Sequence, residues 1–169
     1  MRYCPQCRSE LATAERGGID RLVCPDTDCG FIHWNNPAPV VAAVVEYQGQ
    51  VVLARNAAWP DWMYGLITGF LEAGETPEDG MLREVKEELG LDGRIGGLIG
   101  VYEFIRRNEV LIAYHVEAEG TVTLGEELSD WKAVPLERCK VWPFGTGLAL
   151  RDWLRTRGVE PPMMELPGR

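Results

Sequence analysis

Two groups of residues in this chain have the types and spacing to do chemistry. The first is Cys4-Pro-Gln-Cys7 and Cys24-Pro-Asp-Thr-Asp-Cys29, two short-spaced cysteine pairs separated by sixteen residues. Paired thiols of this kind on tight turns suit a tetrahedral Zn²⁺ site, and few large apolar residues lie between them, so the metal would supply the segment's stability. Two disulfides are the alternative, and they require an oxidising compartment. His33 lies near enough in sequence to replace a thiolate. The second group is Glu84, Glu87 and Glu88, with Glu75 and Arg83 close by. Carboxylates clustered in this way offer hard oxygen ligands for Mg²⁺ or Mn²⁺, ions that keep several waters and also accept phosphate oxygens.

The elements that position the carboxylates can be read from local rules. Thr76 is an N-cap candidate with Pro77 at the first helical position, Asp79 takes the acidic place of a shortened capping box, and Gly90 is a C-terminal stop. The spacing therefore predicts a helix over 77–89. At about 100° per residue, Leu82, Val85 and Leu89 form its core stripe, and the three glutamates fall together on the opposite side. Like charges four apart cost a few tenths of a kcal/mol, so the face is unfavourable without a cation nearby; a solvated face relieved by Arg83 and Lys86 is the bland alternative.

Around that helix the β-branched run Val40–Val45 predicts a buried strand, and Gly49 turns it into a second strand over 51–55. Further strands are expected at 98–105, 110–117 and 131–134, and a helix over 148–157 stopping at Gly158. Asn35-Asn-Pro-Ala-Pro39 reads as an extended linker, which places a small N-terminal unit at 1–36, a larger domain at 37–159 and a loosely ordered tail at 160–169.

The composition is 46% hydrophobic and 25% charged, the profile of a folded domain rather than a disordered chain. No apolar run approaches the roughly 20 residues needed to cross a bilayer, so no membrane partner is expected. The N-terminus reaches Cys4 with no basic-then-apolar leader, which points to the cytoplasm. The 26 acidic and 17 basic residues give a net charge of −9. That balance argues against bulk nucleic-acid binding. Residues 72–88 hold seven acidic and two basic side chains, which is five of the nine net charges. Residues 1–36 carry four basic and five acidic side chains and so lack a basic footprint for nucleic acid.

The whole pattern is more specific than its parts. Gly69, five residues, Glu75, seven residues, then Arg83-Glu84-Val-Lys-Glu87-Glu88-Leu-Gly90-Leu91 resembles the box of the Nudix hydrolases at every defined position. A chance match is about one in a million at average residue usage. The cysteine ribbon, the Asn-Pro linker and Pro143–Leu154 resemble the NADH pyrophosphatase-like subgroup. Val101-Tyr-Glu-Phe-Ile-Arg-Arg-Asn108 departs from it, standing where NADH pyrophosphatases carry Ser-Gln-Pro-Trp-Pro-Phe-Pro.

The resemblance implies an α+β fold, an α/β/α sandwich with a mixed sheet preceded by the zinc ribbon. It implies a Mg²⁺- or Mn²⁺-dependent pyrophosphohydrolase that opens the diphosphate of a nucleoside diphosphate joined to another moiety, such as NADH, FAD or ADP-ribose. RNA 5′-cap or dinucleoside polyphosphate hydrolysis is the enzymatic alternative. A non-catalytic nucleotide sensor or zinc-ribbon binding module is the alternative from another class. By motif position Glu84, Glu87 and Glu88 are metal carboxylates, Gly69 lends a backbone carbonyl, and Glu75 and Arg83 brace the loop. One of the three glutamates, or Glu126 or Glu127, is the general base. Phe31, Trp34, Trp62 and Tyr64 are candidates to stack on a base, in competition with packing roles. The ribbon's expected work is structural, bracing the domain or forming a homodimer interface.

Overall fold

The computed structural model describes residues 1–165. The chain divides into two compact units, Met1–Pro37 and Ala38–Arg169. In the first, β1 (Ala12–Arg16), β2 (Ile19–Val23) and β3 (Ile32–His33) form an antiparallel sheet in the order β1-β2-β3. Two turns flank it. Cys4 donates its backbone N–H to the Ser9 carbonyl and accepts from Arg8, and Cys24 donates to the Phe31 carbonyl, so each cysteine pair closes a tight loop.

The second unit is built on six strands: β4 (Ala38–Tyr47), β5 (Gln50–Asn56), β6 (Ile67–Phe70), β7 (Asp92–Phe104), β8 (Glu109–Glu119) and β9 (Leu128–Pro135). Their order is β7-β8-β4-β5-β9, with β6 also paired to β4. β4 and β8 run parallel and the remaining pairs antiparallel, so the sheet is mixed. The run Val40–Val45 is buried on both faces, because strand side chains alternate and both faces are covered. Val41, Ala43 and Val45 pack with Met81, Val85 and Leu89 of helix α1 (Pro77–Leu89). Val44 packs with Leu150, Trp153 and Leu154 of α2 (Thr146–Thr156). The result is the expected α/β/α sandwich.

Helix α1 runs over the residues its caps predict. Thr76 Oγ1 accepts the Asp79 backbone N–H at 3.1 Å, and Gly90 ends the helix in the left-handed region with its N–H on the Lys86 carbonyl. The capping box is modified: the Asp79 carboxylate accepts the Thr76 hydroxyl at 2.7 Å. Its short side chain fixes the rotor of the cap.

Two expectations change. β7 begins at Asp92, six residues before its predicted start, because its glycine-rich first half is held by pairing with β8. The tail is not loose over its described part. Val141 N–H donates to the Pro162 carbonyl and Met164 N–H to the Val141 carbonyl, Pro161 is buried, and Arg155 pairs with Glu160 at 2.7 Å. Residues 166–169 of the predicted tail lie outside the described residues.

The loop between β6 and α1 is held by one ion pair. Glu75 Oε1 accepts the Glu72 backbone N–H at 2.7 Å and Arg83 Nη2 at 2.8 Å, while Oε2 accepts Arg83 Nε at 3.1 Å. These bonds, the guanidinium's first among them, pull the Glu75 carboxyl down to about 2 from its ordinary 4.5. A depressed folded-state value contributes stability that is full above the unfolded value and is lost as the pH falls toward 2. Thermal unfolding followed at pH 5 and pH 3 should therefore show a smaller acid-induced fall in Tm for Glu75→Gln than for the wild type. Parallel falls would remove Glu75 from the acid response.

Candidate functional site

A cleft of about 570 Å³ opens beside α1 and is lined by β4, β5, β6, the helix and the start of β9. Glu84, Glu87 and Glu88 all line it, together with Gly69, Arg83 and Glu127. The helix face that carries them is not the solvated surface that charge alone suggests. The Glu84 side chain is only 13% exposed, whereas Glu87 is 60% exposed. Burial, reinforced by Glu84, Glu127 and Glu87, pushes the Glu88 carboxyl up to about 8. Burial also raises Glu84, against the pull of Arg83.

Arg83 holds this charge together. Beyond its fork onto Glu75, Nη1 donates to Glu84 Oε1 at 2.7 Å and to Glu87 Oε2 at 3.1 Å, and Nη2 donates to the Phe70 carbonyl at 3.2 Å. Its guanidinium thus sits between two of the three carboxylates and ties them to the loop. Gly69 makes room from the sheet side. A Cβ there would lie 1.9 Å from the Glu84 carboxylate, so a larger residue would push that side chain off its bond to Arg83.

The loop after β8 supplies the fourth carboxylate. Thr123 and Gly125 donate their backbone N–H groups to the carbonyls of Leu89 and Glu88, using acceptors left open at the end of α1. A Cβ on Gly125 would meet the Glu87 carbonyl at 2.4 Å. Ala57 N–H then fixes the Glu127 carbonyl at 2.8 Å. Glu127 lines the cleft as a consequence, and Glu126 does not.

The aromatic candidates divide. Tyr64 packs in the core on the α2 side of the sheet, donates its hydroxyl to Asp130 and carries Lys132 Nζ 3.7 Å from its ring centroid. Its ring is engaged away from the cleft, so the expectation that it stacks on a base is corrected. Trp62 is half exposed and also lies outside the cleft lining. Trp34 belongs to the Met1–Pro37 unit, where Arg21 covers its ring at 4.8 Å, and Phe31 is half-buried in that unit. The aromatic residues that do line the cleft are Trp59, with Asn56 and Leu128, and Phe70 at the end of β6, and on another flank are Arg107 and Glu109. Trp59 stands three residues from Trp62 in the same loop, and no periodicity there says which ring turns inward.

In the N-terminal unit the sulfurs of Cys4, Cys7, Cys24 and Cys29 all lie within 4.8 Å of one another. Cys4–Cys29 is 3.6 Å and Cys7–Cys24 is 3.3 Å, so none is disulfide-bonded. A tetrahedral ion with bonds of about 2.3 Å to sulfur needs S···S edges near 3.8 Å, and the quartet fits such an ion. Hydrogen bonds with Ser9 draw the Cys7 thiol down to about 6, whereas burial raises Cys24, and Cys29, against its bond from the Phe31 backbone, is pushed up to about 12 by burial and the neighbouring thiols. His33 is outside the quartet, held on β3 opposite Leu22.

Comparison with known proteins follows this geometry. The NUDIX domain family model matches residues 35–154. The chain is 36% identical over 94 residues to the NAD-capped RNA hydrolase NudC of Vibrio atlanticus, covering 54% of this chain and 33% of that protein. It is 26% identical over 171 aligned positions to the protein of the same name from Stutzerimonas stutzeri, covering 99% of this chain and 60% of that one. The chain thus spans less than two thirds of either relative. Among solved structures, a NUDIX hydrolase from Nitrosomonas europaea superposes with a TM-score of 0.78 at 25% identity, over 98% of this chain and 97% of that chain. An ADP-ribose pyrophosphatase from Streptococcus suis shares the fold, with a TM-score of 0.60 at 16% identity over 75% of this chain and 96% of that one. The box residues gathered along one cleft and a family match over residues 35–154 lead to one conclusion: this chain belongs to the NUDIX domain family.

Proposed function

We propose that the protein is a divalent-metal-dependent pyrophosphohydrolase that opens the diphosphate of a nucleoside diphosphate joined to a second moiety. The observation that carries this reading is geometric: Glu84, Glu87, Glu88 and Glu127 line one cleft together with Gly69. Such a cluster is expensive without a cation, and hard oxygen donors suit Mg²⁺ or Mn²⁺. Glu84, Glu87 and Glu88 would hold the ion, with the Gly69 carbonyl offered from β6. When bound, the metal neutralises the diphosphate and lowers the pKa of the attacking water.

The chain's own groups do the rest. Arg83 keeps Glu84 and Glu87 oriented through its fixed fork, and Glu75 keeps Arg83 in place. Glu127, exposed in the cleft, takes the proton from water as it attacks phosphorus; Glu126 stands outside the lining and is not assigned this role. Trp59 offers its ring to the nucleobase, in place of the expected Phe31, Trp34, Trp62 and Tyr64. The names of the curated relatives favour a second reading, in which the nucleotide is the cap of an RNA. In the N-terminal unit the thiolate quartet holds Zn²⁺ in a structural role. Domain limits at 1–36 and 37–159, and a cytoplasmic setting, complete the reading.

A panel of dinucleotides, ADP-ribose, dinucleoside polyphosphates and NAD-capped RNA, assayed with Mg²⁺ and with Mn²⁺, tests it. Mononucleotide products are expected from at least one member. Glu87→Gln and Glu88→Gln should each lower kcat by about 10²- to 10⁴-fold with an unchanged circular dichroism spectrum. Wild-type rates in those variants would overturn the carboxylate assignment. Elemental analysis should find one zinc per chain, and a strong chelator should unfold the N-terminal unit. Folded protein with well under one zinc would sink that part.

A further inference from the structure

The cleft has one cation that the carboxylate network leaves over. Arg83 is fully committed, since each of its three nitrogens donates to Glu75, Glu84, Glu87 or the Phe70 carbonyl. Arg107 also lines the cleft, and among the described residues it makes no ion pair; its guanidinium rests 5.9 Å from the centroid of the Phe104 ring. Glu109, two residues on, shares this flank and is not within ion-pairing distance of it.

The backbone fixes where Arg107 stands. It ends the 3₁₀ turn Ile105–Arg107, which Asn108 closes in the left-handed conformation, and β8 starts directly after it. Ala38 N–H donates to the Asn108 carbonyl at 2.9 Å, which pins this turn to the start of β4. β8 flanks β4 on one side, and β5 and β6 flank it on the other. Trp59 follows β5, so the aromatic ring and the guanidinium stand on opposite flanks of the β4–β6 floor. The carboxylates of α1 lie along the same cleft.

From this juxtaposition, and resting on the pyrophosphohydrolase reading above, we infer that Arg107 is a substrate-binding residue that takes an anionic group beyond the phosphates held at the carboxylate cluster. The substrate class this favours is a nucleotide whose second moiety carries further negative charge, such as an extended polyphosphate, over one ending in a neutral sugar. The chemistry is simple. Of the two arginines that line the cleft, Arg107 is the one outside an ion pair, so a third phosphate finds its cationic partner there, and a guanidinium binds phosphate through paired N–H donors. A neutral sugar gains nothing from it.

Diadenosine diphosphate and diadenosine tetraphosphate test the inference, because they carry the same nucleosides and differ in anionic charge. With the full chain and Mg²⁺, Arg107→Ala should raise KM for the tetraphosphate by about 10- to 100-fold, with kcat changed by less than about threefold, and leave KM for the diphosphate unaltered. Arg107→Lys should restore part of the loss, since a charge remains but the fork does not. Equal changes for both compounds, or none for either, would overturn it. Should the wild type hydrolyse neither compound nor any other in the panel, the pyrophosphohydrolase reading fails on its own account. Calorimetric binding of the same two compounds to wild type and Arg107→Ala then decides the role of Arg107: a selective loss for the tetraphosphate supports it, and equal affinities refute it.

Discussion

The guanidinium of Arg83 is the interaction on which the site depends. One planar group grips the Glu75 carboxylate with two nitrogens, reaches the Phe70 carbonyl at the end of β6, and shares its remaining nitrogen between Glu84 and Glu87. A lysine could not replace it, because a point charge on a flexible stem cannot address four acceptors at fixed angles. The loop from Phe70 to Thr76 is held by this ion pair, by the Glu72 N–H on the same carboxylate, and by Leu71, which packs on the core and donates its N–H to the Pro39 carbonyl. Loop, strand end and helix are therefore tied to one another through a single guanidinium.

That arrangement bears on how so acidic a chain can accept an anion. The negative charge is concentrated over residues 72–88, where Glu72, Glu78, Asp79 and Glu87 stay exposed while Glu75, Glu84 and Glu88 are partly buried. Arg83 neutralises part of the cluster, but Glu88 receives none of its bonds and rises to about 8. An acid so placed gains most from a divalent ion, which would convert a repulsive surface into one that accepts phosphate. Net charge and local function thus point in opposite directions, and the local geometry governs.

What could be read in advance follows from how local each signal is. Helix α1 was legible to the residue because Thr76, Pro77 and Gly90 act through hydrogen bonds within a few positions of themselves. The strand at Val40–Val45 was legible from its β-branched run. The cysteine quartet was legible from spacing, although which sulfurs adjoin, Cys4 with Cys29 and Cys7 with Cys24, was not. Strand β6 escaped notice because four residues ending in Gly-Phe carry no period, and only pairing with Val40–Ala43 makes them a strand. Tyr64 and Trp59 were indistinguishable for a related reason. Both are aromatics in one loop, and the layer Tyr64 faces is decided by Asp130 and Lys132, more than sixty positions away.

Two close approaches show how motif and fold divide the work of building the site. On the sheet side β6 passes α1 at Gly69, where a methyl group would strike the Glu84 carboxylate at 1.9 Å. On the loop side the chain passes α1 at Gly125, where a methyl group would strike the Glu87 carbonyl at 2.4 Å. The carboxylates of α1 lie between two close approaches, one onto the Glu84 side chain and one onto the helix backbone itself, and the second leaves room for glycine only. Gly69 belongs to the box pattern and was singled out with it; Gly125 belongs to no pattern, and its constraint appears only once the loop is seen to use the open carbonyls at the end of α1. The same docking brings Glu127 to the cleft. A fourth carboxylate is thus delivered by backbone hydrogen bonding to a helix terminus, a device that leaves one glycine as its only trace in the sequence.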